Sequence, residues 1–97
     1  MYAGYLEAFY KRFTGTKYLS YDDHYNLLLN DTTEFAGSYT RTFRKLGVDA
    51  KCIIANDYYL QNKWQLENGI KSNKSRDILF DQVARFKPDI LWIENLS

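Results

Sequence analysis

Val48-Asp49-Ala50-Lys51-Cys52-Ile53-Ile54-Ala55 is the stretch on which the fold turns. It opens in alternation and closes in an unbroken apolar run. Extended, it places Val48, Ala50, Cys52 and Ile54 on one face and Ile53 and Ala55 on the other. Apolar side chains on both faces suit a strand covered on both sides, as in parallel sheets. A second stretch, Asp89-Ile90-Leu91-Trp92-Ile93, has the same character. It follows Lys87-Pro88, where proline cannot continue a helix and biases its predecessor toward extension. Between the two stretches lie two helical patterns. One opens at Asn56-Asp57, spaces Leu60 and Trp64 four apart, and closes at Gly69. The other follows Ser75 with Ile78, Leu79, Val83 and Phe86. Strand, helical crossover and strand make a βαβ unit, which predicts parallel strands and a right-handed connection.

Upstream the period is helical. Tyr2, Leu6, Phe9, Tyr10 and Phe13 form an apolar stripe that Gly15 terminates. Ser20 suits an N-cap for a helix through Tyr21–Leu29, with Asp22 and Asp23 where the helix dipole favours anions. A loop is expected over Asn30–Ala36. A third helix opens at Ser38, carries Tyr39, Phe43 and Leu46 on one side, and stops at Gly47 behind Arg44 and Lys45. The predicted architecture is α/β: an incomplete Rossmann-like fold with about two parallel strands (48–55 and 89–94) and four to five helices. Two strands leave both sheet edges open and are marginal alone. The expectation is therefore that residues 1–97 are one partial domain, either a fragment of a larger protein or completed by a second copy through the open edges.

Composition narrows the chemistry. Ninety-seven residues allow one small domain, and 45% hydrophobic content supplies a core. One Cys excludes a disulfide framework and a multi-Cys zinc site. No run of about 18 apolar residues occurs, so no membrane span is expected. The N-terminus lacks the pattern of a secretory signal, which predicts a cytoplasmic protein. Net charge is +1, with residues 37–76 carrying +5. That surface reads as a solvated helix face rather than a nucleic-acid site.

Ligands of open parallel sheets bind beyond the carboxyl ends of the strands. Here those ends carry Asn56-Asp57 and Glu94-Asn95, suited to sugar hydroxyls or, for Asp57 and Glu94, to general-base work. Asn56 or Asp57 equally suits a helix N-cap. Gly4 would lie in a first strand-to-helix turn if a strand preceded it. His24, the lone histidine, reads as a helix-surface side chain, Cys52 as a core thiol, and Trp64 as core.

The string from Ser38 to Asn95 resembles the N-terminal, acceptor-side region of bacterial GT-B glycosyltransferases, in the spore-maturation-protein-like branch. The resemblance is carried by Ser38-Tyr39-Thr40 opening a helix that ends Leu46-Gly47, by Ile53-Ile54-Ala55-Asn56, by Leu60-Gln61-x-x-Trp64 with Glu67 and Gly69, and by Lys87-Pro88-Asp89-Ile90-Leu91-Trp92-Ile93 running into Glu94-Asn95. It implies two Rossmann-like domains around a cleft, a nucleotide-sugar donor held by a C-terminal domain, and acceptor-binding candidates Gly4, Tyr5, Asn56, Asp57, Glu94 and Asn95. On that basis the chain itself is expected to bind no cofactor or metal and to be inactive alone. Its partners are the rest of the parent polypeptide and a sugar acceptor. No catalytic residue is assigned. The competing expectation is a non-catalytic α/β binding or assembly module fused to another enzyme, such as a methyltransferase.

Overall fold

The computed structural model describes residues 3–32 and 35–91. Those residues form helices α1 (Ala3–Arg12), α2 (Tyr21–Asp31), α3 (Phe35–Lys45), α4 (Tyr58–Glu67) and α5 (Ser75–Phe86), with a 3-10 turn over Thr16–Tyr18 between the first two.

Each helix follows from local chemistry. In α1, Leu6 and Phe9 are buried, and Lys11 and Arg12 occupy the last turn, where cations favour the dipole. In α2, the Ser20 hydroxyl accepts the Asp23 N–H at 3.2 Å, as an N-cap should. The buried face of α2 is Tyr21, His24, Tyr25, Leu28 and Leu29, a run of helical period. In α4, the Asp57 carboxylate caps the Leu60 N–H at 3.2 Å. Lys87 ends α5 in the left-handed conformation, with φ 52°.

α4 packs against both α2 and α5. Leu6, Phe9, Tyr21, Tyr25, Leu28, Leu29, Ile54 and Leu60 form one core. Full burial of a side chain such as Phe9, Leu28 or Leu60 contributes about 1.5–3 kcal/mol. Between α4 and α5, Gln61 and Gln82 exchange two amide hydrogen bonds of 2.8 Å, and the Trp64 indole donates to Asp81 at 2.9 Å.

The structure corrects the predicted sheet. Among the described residues there is no β-strand, so the incomplete Rossmann-like, GT-B-type arrangement is replaced by a helical one. Residues 48–54 are neither helix nor strand and run as an unpaired strap. Their backbone groups find partners outside any ladder. Arg44 donates to the Ala50 carbonyl at 2.8 Å, and the Cys52 N–H donates to the Tyr25 hydroxyl at 3.1 Å. Ile54 alone of the strap is fully buried, while Val48 and Ala55 are exposed. The apolar run reported partial burial, not pairing. In the second stretch, Asp89 and Ile90 form a bend, and Ile90 and Leu91 are 85% and 56% exposed, unlike a buried strand. The remainder, Trp92 and Ile93, lies outside the described residues, as do Glu94 and Asn95. Dimerisation through open strand edges loses its basis, because the described residues present no such edge.

Two boundaries also move. α2 continues to Asp31 and α3 begins at Phe35, so the connection is shorter than Asn30–Ala36. Asp31 is held at the end of α2 by the Tyr5 hydroxyl and by a two-pronged contact from Arg12, at 3.1 and 2.7 Å.

Candidate functional site

A groove of about 750 Å³ opens where the end of α1 and the following turn meet α4. Its floor carries Tyr10, from α1, and His24, from α2; Tyr59 and Lys63 contribute from α4. Tyr59 is 70% exposed, and its ring lies 5.0 Å from that of Tyr10.

The floor is a hydrogen-bonded chain of three residues. The Tyr10 hydroxyl donates to the Asp57 carboxylate at 2.5 Å and lies 2.8 Å from His24 Nε2. Asp57 and His24 are 1% and 0% exposed. Burial raises the Asp57 carboxyl above the usual carboxylate range, against the opposing pull of its bond from Tyr10. Burial, helped by the positive charge of Lys63, lowers His24 to about 4, so its imidazole is neutral near pH 7. Tyr10 is pushed up, first by burial and then by its hydrogen bond to Asp57. Lys63 is lowered by burial and donates its ammonium to the Thr16 carbonyl.

The sequence candidates are distributed unevenly around this groove. Asp57 supports the floor through Tyr10 and caps α4 as well. Asn56 sits half-buried in the turn before it. Tyr5 is directed instead to Asp31, and its hydroxyl is raised to about 12 by burial and that carboxylate. Gly4 lies exposed within α1, with open space where a Cβ would stand. Glu94 and Asn95 fall outside the described residues. Cys52 is half-buried, its Sγ 3.4 Å from the Tyr25 hydroxyl.

His24, Tyr10, Tyr59 and Lys63 were not singled out as site residues by sequence reasoning. The surface reading of His24 is corrected: it is fully buried. The signal was present, since His24 stands three after Tyr21 and four before Leu28, on the apolar stripe of its helix. Nothing in the sequence places Tyr10 against Asp57, which is 47 residues away. Among the described residues, no group of three His, Cys, Asp or Glu side chains is placed to hold a metal ion. No helix among them is long and apolar enough to cross a membrane. No family model, curated protein or solved structure matches this chain.

Proposed function

We propose that this chain is the acceptor-side portion of a nucleotide-sugar-dependent glycosyltransferase, and that the groove between α1 and α4 receives the acceptor. The observation that supports this most is the lining of the groove. It pairs tyrosine rings with hydroxyl and amide side chains, including Asn62, Gln65 and Ser75, and no described lining residue is acidic. A sugar presents an apolar C–H face to a ring and hydroxyls to neutral polar groups, so such a lining suits it. The transferase half of the proposal rests on the sequence motifs between Ser38 and Asn95 alone, without the sheet that the resemblance implies.

A non-catalytic helical binding module is the second reading. It is favoured by the state of Asp57, whose carboxylate is already committed to Tyr10 and Leu60 and is buried away from any substrate.

Transfer from nucleotide-sugar donors by the parent polypeptide, measured against acceptor concentration, separates the two. On the first reading Tyr59→Ala raises the acceptor KM about five- to tenfold, the size of one ring-stacking contact, and leaves the donor KM unchanged. A parent polypeptide that binds saccharide but transfers none from any nucleotide-sugar supports the module. A Tyr59→Ala variant with unaltered acceptor KM removes the groove from the proposal.

A further inference from the structure

His24 leaves one hydrogen-bonding position open beneath the groove. Its Nδ1 is the single buried side-chain nitrogen or oxygen without a partner among the described residues. A neutral imidazole carries one N–H and one lone pair. Tyr10 has one proton, and its 2.5 Å bond to Asp57 uses it. The 2.8 Å contact with His24 is then donated by Nε2–H to the Tyr10 oxygen. Nδ1 is left as a bare acceptor, and leaving a buried acceptor unpaired is costly. Asp57, Tyr10 and His24 come from three separate segments, so the fold holds this ring in one tautomer and one orientation. Of the two lysines that line the groove, Lys63 donates to the Thr16 carbonyl, whereas Lys17 is exposed and sits over the Tyr18 ring at 5.1 Å. The groove is thus lined by a ring whose unpaired nitrogen is an acceptor, a lone pair that a hydroxyl can donate to and an anion cannot.

We infer that a hydroxyl of the groove's ligand donates to His24 Nδ1, which makes the ligand a neutral polyol of the saccharide class rather than an anion. This rests on the acceptor-groove reading above and adds to it the atom that recognises the ligand. Tyr10 and Asp57 are positioning residues, because they act on the ligand only through the imidazole. Tyr59, exposed at the rim with its ring 5.0 Å from that of Tyr10, is placed to stack on the ligand's ring face while the hydroxyl reaches His24.

The test uses the whole chain labelled with nitrogen-15. His24 is the only histidine, so its two ring nitrogens give an uncrowded spectrum. Without ligand, Nε2 is protonated and Nδ1 bare between about pH 6 and 8. Adding methyl glucoside, methyl galactoside or maltotriose moves the Nδ1 resonance toward its hydrogen-bonded value and leaves Nε2 in place. Tyr10→Phe mixes the tautomers and weakens binding about tenfold, the scale of one net hydrogen bond. The wild-type spectra decide the matter even if that variant does not fold. A saccharide that binds with Nδ1 unmoved overturns this inference and leaves the acceptor groove standing. Failure of all three probes to bind overturns both. Inorganic phosphate moving Nδ1 as strongly as the sugars overturns the ligand class.

Discussion

Asp57, Tyr10 and His24 place two titratable groups with opposite shifts in one buried cluster. His24 titrates near 6.5 in the unfolded chain and at about 4 in the fold. Between those values the unfolded state binds the proton and the folded state does not. The contribution of His24 to stability is therefore whole above pH 6.5 and is lost as pH falls toward 4. Discounted for partial screening, the loss is roughly 2 kcal/mol. Asp57 has the opposite sign: its carboxyl is raised in the fold, so the fold gains as pH falls through that raised value. Urea unfolding of Asp57→Asn, which removes the opposing contribution, is expected to show a midpoint that declines from pH 7 to pH 4. Adding His24→Gln should flatten that decline, and a decline unchanged by His24→Gln would assign it to another group. The position of His24 was legible at this scale, because it shares the spacing of the apolar residues on α2. Its partner was not, because hydrogen bonding across 14 residues from Tyr10 leaves no local trace.

Among the elements, the approach of α3 to the end of α2 depends on a missing side chain. A Cβ at Gly37 would collide with the methyl group of Thr32, which is buried and cannot swing clear. Gly37→Ala gains about 1 kcal/mol of helix propensity but must displace that methyl group, at a typical cost of about 1–3 kcal/mol. A net loss of stability is expected, read as a lower thermal midpoint. In Gly37→Ala/Thr32→Ser, which removes the methyl group, most of it should return. The helices themselves were readable from capping and spacing: Ser20 and Asp57 cap where side-chain acceptors precede apolar periods, and Gly47 and Gly69 follow helices with positive φ. Lys87 was not. Before Pro88 an extended backbone is the usual outcome, yet Lys87 turns left-handed, which swings the following residues into a bend.

For the molecule as a whole, the strap over residues 48–54 replaces the sheet. Far-ultraviolet circular dichroism of the chain is expected to show a spectrum dominated by helix, as the described residues are. Cys52→Ser, which touches the strap at the Tyr25 hydroxyl, should leave that spectrum unchanged. A substantial strand component would restore the paired-strand architecture. Helix positions, their caps and the apolar stripe of α2 follow from residues within about one turn of each other, so spacing along the chain is enough to find them. Whether Val48–Ala55 pairs with another strand is a different kind of question. It depends on what lies beside its N–H and C=O groups, and here those neighbours are Arg44 and Tyr25. The groove is of the same kind: Tyr10, His24 and Asp57 meet because α1, α2 and the start of α4 pack around one core, and hydrogen bonds between distant residues exist only once that core has formed.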